Sequence, residues 1–247
     1  MFRQLVLSRP AATLATIVVF ALTCSLGMWQ LDRMQQKLEL ASDLAAKNAA
    51  APLYANAKNW TLVEAEHHRM LAKGRYIADK TIWLDNRPNP AGADAQTGVV
   101  AGFYVLTPFL LEQSGQLLWV NRGWAPRDPQ DREHLPVLNT PRETIEVEGL
   151  VFEHAARVMN LGQNSLVANP NQIRQNLNVQ EESQKLNLPF LPFVLRQSEG
   201  GINDGLNRHW APIATGAEKH QGYAFQWFAL AGLVLSFWLL SGLFNKK

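Results

Sequence analysis

Apolar and polar positions are spaced in three ways along this chain, and each spacing predicts a different element. Residues 10–29 and 221–245 contain no Asp, Glu, Lys or Arg. Each run is long enough for a helix to cross a hydrocarbon layer about 30 Å thick. Buried helices of soluble domains are seldom both that long and charge-free, so two transmembrane helices are expected, at 11–29 and 222–244. After Trp29 a helical period continues to about Asn48, with Leu31, Met34, Leu38, Leu40 and Ala41 near one face. The first helix is therefore expected to continue outward until Pro52 limits it.

The middle of the chain changes to strand spacing. Residues 144–152 alternate, with Ile145, Val147, Gly149 and Val151 against Glu146 and Glu148. Residues 69–77 alternate in part, and 81–84 form a short β-favouring run ending in Asp85-Asn86-Arg87-Pro88. Residues 103–111 and 116–120 flank Glu112-Gln113-Ser114-Gly115 and predict a hairpin. Residues 89–98 and 160–170 read as loops. Residues 173–186 predict a helix ended by Pro189, and 190–197 a last strand. About six short strands with a few helices predict one mainly antiparallel β domain, barrel- or sandwich-like, between the two helices.

Composition refines this outline. The chain has 247 residues and a formal net charge of +2, with a mean hydropathy of −0.14. That hydropathy averages two apolar spans and one polar domain. Four positive charges, Arg3, Arg9, Lys246 and Lys247, flank the spans with no acidic residue beside them. The positive-inside rule then puts both termini (1–10 and 245–247) in the cytoplasm and residues 30–221 outside. The first run ends in Leu26-Gly27-Met28-Trp29-Gln30, without a small-x-small cleavage site, so it reads as an uncleaved anchor rather than a signal peptide. Trp29, Tyr223 and Trp227 suit the outer headgroup level. Ala21 with Ser25, and Gly232 with Ser236, are small-x-x-x-small pairs through which the spans are expected to touch.

Little catalytic chemistry is on offer. No nucleophile elbow, zinc-protease motif, phosphate loop or dinucleotide fingerprint occurs, and no concentrated basic surface suggests nucleic acid. Cys24 is the only cysteine, which excludes an intramolecular disulfide framework and a Cys-x-x-Cys site. The five Met do not cluster and Cys24 lies in a span, so a soft copper(I) site is not favoured. His67-His68, adjacent on an expected strand, would point to opposite faces and not share one metal. His220 stands just before span two, on one helical face with Tyr223 and Trp227. Taken on its residues alone it either hydrates the helix end or offers an axial haem ligand. Gln226 and Gln30, at similar depth, could bond across the spans. Asn121-Arg122-Gly123-Trp124 reads as a hairpin end with a packed Trp.

Four stretches carry a resemblance: Leu26-Gly27-Met28-Trp29-Gln30 with Arg33 and Lys37; Trp83-Leu84-Asp85-Asn86-Arg87; 103–109 with Val120-Asn121-Arg122-Gly123-Trp124-Ala125-Pro126; and His220-Gln221-Gly222-Tyr223-Ala224-Phe225-Gln226-Trp227-Phe228. In this order they resemble the Surfeit-locus protein 1 family of membrane proteins. Gln36 stands where many members have Trp, and Glu218-Lys219 where many have Asn-Asn. The resemblance implies a non-enzymatic factor of the bacterial inner membrane with a periplasmic domain. Such a factor promotes delivery of haem a to subunit I of haem-copper cytochrome c oxidase, with that subunit, other assembly factors or haem a synthase as partners. Carried over, His220 becomes the haem ligand, with Tyr223, Gln226 and Trp227 around it. Trp29, Gln30, Arg33, Asn121, Arg122 and Trp124 become candidates for docking or for the haem propionates. Two other readings stay open: a scaffold that holds subunit I without haem, and a membrane-anchored extracytoplasmic enzyme.

Overall fold

A computed structural model describes residues 9–93, 98–131, 133–156, 172–198, 203–211, 213 and 215–244. Arg3, Lys246, Lys247 and the loop expected at 160–170 lie outside the described residues. The chain divides into two compact units, Met1–Leu44 with Ile213–Lys247, and Ala45–Pro212. Each is described by itself.

The first unit pairs helix α1 (Pro10–Ala49) with α4 (Ala217–Phe244). Both are long and apolar enough to cross a membrane. Leu14, Ile17, Leu22, Phe225, Leu233 and Phe237 stand exposed along them. That much uncovered apolar side chain would be unfavourable in water and suits lipid. Residue 10 begins α1 because Pro, lacking an N–H, is well placed in a first helical turn. At 40 residues, α1 is about 60 Å long, twice a bilayer core.

One stripe of covered positions runs through 13, 16, 20, 23, 27, 30, 34, 37, 41 and 44 on α1 and through 217, 220, 224, 227, 231, 234, 238 and 241 on α4, with 24, 26, 31, 47 and 242 also covered beside it. The steps alternate between three and four residues, the spacing of a left-handed helix pair. This corrects two expectations. Ala21, Ser25, Gly232 and Ser236 are all exposed, so the small pairs do not form the interface. Leu38 and Leu40 also point outward, because Met34, Lys37, Ala41 and Leu44 continue the covered stripe. The close approach is instead at Gly27, where an added Cβ would lie 2.7 Å from the Phe228 ring.

The second unit is a mixed sheet. Its strands are β1 (Leu53–Tyr54), β2 (Arg69–Tyr76), β3 (Ile82–Pro88), β4 (Ala101–Leu111), β5 (Leu117–Pro126), β6 (Ile145–Phe152), β7 (Ile173–Arg174) and β8 (Phe190–Gln197). Strands β2, β6, β8, β5 and β4 pair in a closed ring, because β2 bonds both β6 and β4. Closure occurs at Gly74, which pairs with Ile145 on one side and Leu111 on the other. A Cβ there would lie 2.1 Å from the Leu110 carbonyl oxygen, so only glycine fits. Met70, Phe109, Leu118, Val120, Phe193 and Leu195 fill the barrel core.

The expected strands 69–77, 103–111, 144–152 and 190–197 are all present. Three differences have local causes. The sheet is not purely antiparallel: β1–β2, β3–β7 and β5–β8 run parallel. Strand β3 continues through Asp85-Asn86-Arg87-Pro88, because a register shift between Leu84 and Arg87 absorbs Asn86 at φ +60°. The helix expected at 173–186 shrinks to α3 (Val179–Lys185). Ile173 and Arg174 pair with β3, and the Asn178 side chain caps α3 by accepting from the N–H of Gln180 and Glu181. A short helix α2 (Leu62–Ala65) leads into β2. His67 and His68 lie in the turn after α2 and not on a strand, with His67 at φ +64°. Among the described residues no group of three or more His, Cys, Asp or Glu could hold a metal ion.

Candidate functional site

The covered seam of the helix pair carries polar contacts toward both of its ends. Trp238 donates through Nε1 to Thr13 Oγ1 at 3.2 Å, and Arg9 donates to Ser241 Oγ at 3.3 Å. At the other end of the seam, His220 Nδ1 meets Gln30 Oε1 at 2.7 Å. Gln30 and His220 are each 21 residues from Arg9 and Ser241 respectively. At 1.5 Å per residue that is about 30 Å, so the two polar layers sit one hydrocarbon thickness apart.

The Gln30 contact orients the His220 ring. A carboxamide oxygen only accepts, so the tautomer that suits this contact has the proton on Nδ1, donating to Gln30. In the neutral ring, Nε2 is then left with a free lone pair. A metal-ligating imidazole usually has this arrangement, with its far N–H held by an oxygen that sets tautomer and ring direction. The site thus offers one oriented imidazole nitrogen, on a half-buried side chain, at the end of a helix pair.

The neighbours separate into two sets. Trp227 is half-buried on the seam with His220, whereas Tyr223 is 51% exposed and Gln226 is also exposed, off the seam. The bond expected between Gln30 and Gln226 is therefore absent; Gln30 bonds His220. The signal for this pairing was the seven-residue period itself, since 27 and 30 share it with 220, 224 and 227. Trp29, 49% exposed, lies under the Arg33 guanidinium at 5.7 Å, and Arg33 donates to Gln36 Oε1 at 2.9 Å. Gln36 in turn donates to Asp32 at 2.9 Å, so the residue replacing Trp closes an exposed polar bridge.

Asn121, Arg122 and Trp124 do not form a docking or propionate surface, and they are not at a hairpin end. They lie inside β5 and are buried. Val105 pairs with Gly123 and Leu106 with Asn121, so Arg122 is the extra residue of a bulge. Its guanidinium lies 4.5 Å from the Tyr76 ring and donates to Asp204 Oδ2 at 2.8 Å, Thr140 Oγ1 at 2.6 Å and the Asn139 carbonyl. Arg208 shares Asp204. Burial pushes the Tyr76 phenol up to about 12, and its hydroxyl donates to Gln197 at 3.1 Å. The backbone of Trp124 pairs with that of Asn207, and its indole donates to the Arg87 carbonyl at 3.0 Å. Arg87 is itself buried, donating to the carbonyls of Asp85 and Gln175. Sequence alone missed this interlock because a bulge reverses the expected side-chain alternation.

The four stretches behind the resemblance thus meet in pairs. Two interlock β3 with β5 through Arg87 and Trp124. Two join α1 with α4 through Gly27–Phe228 and Gln30–His220. The profile of the SURF1 family matches residues 17–232. The chain belongs to the SURF1 family. A SURF1-like protein of Rickettsia bellii is 27% identical over 226 residues, covering 88% of this chain and 85% of that protein. A SURF1-like protein of Monosiga brevicollis is 30% identical over 141 residues, 56% of this chain and 53% of that one. Surfeit locus protein 1 of Rattus norvegicus is 30% identical over 122 residues, 46% and 40% respectively. Against several curated SURF1-like relatives, the matched region spans about half of their length. The family match includes both paired sets of motifs, His220 and Gln30 among them.

Proposed function

We propose that this chain is an assembly factor for haem-copper cytochrome c oxidase that holds haem a through His220 and passes it toward subunit I. The observation that carries this reading is the 2.7 Å bond from His220 Nδ1 to Gln30, which leaves Nε2 as an oriented ligand one hydrocarbon thickness from the Arg9–Ser241 layer. Family membership supports the assembly role. In this reading the helices cross the bacterial inner membrane with both termini cytoplasmic, so His220 lies at the periplasmic boundary and residues 45–212 form a periplasmic domain. Haem a is cargo, and its iron takes one nitrogen from this chain. A single ligand on a half-buried side chain suits release better than a closed two-ligand pocket. Trp227 stands two turns along the same seam, and Tyr223 and Trp29 serve the headgroup level.

The test is to purify the full chain from cells making haem a and record its haem spectrum beside His220→Ala. The wild-type chain is expected to carry haem and the variant to lose most of it. A haem-free wild-type chain whose absence still lowers oxidase assembly would favour the scaffold reading. Full occupancy in His220→Ala would remove His220 as the ligand. A reporter active only outside the cytoplasm, fused after Lys247, is expected to be silent.

A further inference from the structure

A second place in the molecule holds a cation with unmet bonding capacity. Arg196 of β8 pairs with Leu150 of β6 and with Asn121 of β5. Directly paired residues present their side chains to one face of the sheet. On that face the Arg196 guanidinium lies 4.1 Å from the Phe152 ring centroid and 5.2 Å from that of Trp210. Trp210 is fixed by donating through Nε1 to the Gln197 carbonyl at 2.7 Å, and by the edge-to-face contact with Tyr104 at 5.3 Å.

The other buried arginines of this domain are anchored. Arg122 and Arg208 share Asp204, and Arg87 donates to two backbone carbonyls. Arg196 differs. Among the described residues its guanidinium has only the two rings as specific partners, and no carboxylate pairs with it. Its Nε is buried without a hydrogen-bond partner, as are those of Arg87, Arg122 and Arg208, but only in Arg196 do the terminal nitrogens also lack a bonded oxygen among the described residues, and its side chain is partly exposed. A guanidinium carries five N–H donors, and desolvating them unpaired is unfavourable. Burial pushes the Arg196 pKa down, with Tyr104 opposing, yet an arginine keeps its charge at any working pH. Asn121, on the same face, also has its buried Oδ1 unmatched.

We propose that this face is a binding site for an organic carboxylate with a flat apolar body, the carboxylate on the Arg196 fork and the body against Trp210 and Tyr104. One planar fork matches one carboxylate. A phosphate dianion would call for a second free cation, and the nearest candidate over Tyr104, Arg87, has its terminal nitrogens bound to carbonyls. The site is separate from the His220 reading and stands or falls without it.

The test titrates the full chain in detergent with 2-naphthoate, with neutral 2-naphthamide and with inorganic phosphate, read by calorimetry and tryptophan fluorescence. The acid is expected to bind about tenfold or more tighter than the amide. Arg196→Gln is expected to abolish that preference, Arg196→Lys to retain only part of it, and His220→Ala to leave it unchanged. Equal binding of acid and amide, no binding of the acid, or a preference intact in Arg196→Gln would overturn the proposal. Phosphate binding as tightly as naphthoate would overturn the carboxylate assignment. The acid-to-amide ratio on the wild-type chain decides the matter even if Arg196→Gln does not fold.

Discussion

The two units of this protein are built inside out with respect to each other. In the β domain the barrel core is apolar, with Phe109, Leu118, Phe193 and Leu195 covered, a paired cluster around Arg122 and Asp204 buried beside it, and Lys and Glu toward solvent. In the helix pair the covered residues are the small or polar Thr13, Thr23, Gly27 and Gln30 of α1 with Ala224, Ala231 and Trp238 of α4, while Leu14, Ile17, Leu233 and Phe237 face outward. The same chain follows opposite rules because its surroundings differ. In water, burying apolar area is the driving force. In lipid the outside is as apolar as any side chain, so close packing and hydrogen bonds decide which faces meet.

This contrast can be broken at graded sites. Asp204→Asn should be the most damaging, since it leaves Arg122 and Arg208 buried without their shared counter-charge. A loss of about 3–5 kcal/mol is expected in chemical denaturation of the full chain in detergent. Gly74→Ala should cost about 2–3 kcal/mol, because the new methyl meets a backbone oxygen that cannot move without opening the barrel. Gly27→Ala meets a partly exposed Phe228 ring instead, and should cost about 1 kcal/mol or less by detergent titration of the helix pair. If Gly27→Ala proved the costlier of the two, the closure argument would be wrong.

A matched pair of hydroxyl deletions sharpens the comparison further. Thr107→Val breaks the buried Thr81–Thr107 hydrogen bond in the domain, for about 1 kcal/mol. Thr13→Val breaks the Trp238 bond in the helix pair, for about 0.6 kcal/mol. The smallest effect is set by pH. His67 has its pKa pushed down, chiefly by burial and then by the charges of Lys47 and Arg196, with Glu66 opposing. The unfolded chain therefore binds a proton more readily below the ordinary value of 6.5, so folding stability falls as pH drops through that value. His67→Asn, which also tolerates the positive φ, should flatten the slope of denaturation midpoint against pH between about 7 and 5.

Much of the architecture was legible from residue spacing. Charge-free runs marked α1 and α4, alternation marked β6 and part of β2, a hairpin signal marked β4 with β5, and 190–197 read as the last strand, β8. The barrel's closure was not, because nothing in the alternation of 69–77 announces that Gly74 pairs on both sides. Arg122 and Asn121 were misplaced for a related reason: a bulge turns a strand interior into what reads as a strand end. The small-residue pairs on the spans misled because they satisfy a common pattern on the wrong face. His220 was found, but its partner was not. Gln226 looked equivalent to it by depth, and only the seven-residue stripe distinguishes the two.

The proposed role of His220 depends on the tautomer of its ring. Nitrogen NMR of the full chain in detergent, with 15N-labelled histidine and His220→Ala for assignment, reads it directly. The arrangement with Gln30 predicts a protonated Nδ1 and an unprotonated Nε2, and loss of that preference in Gln30→Leu. A neutral ring with its proton on Nε2 in the wild-type chain would contradict it, because the nitrogen offered to iron would then not be free.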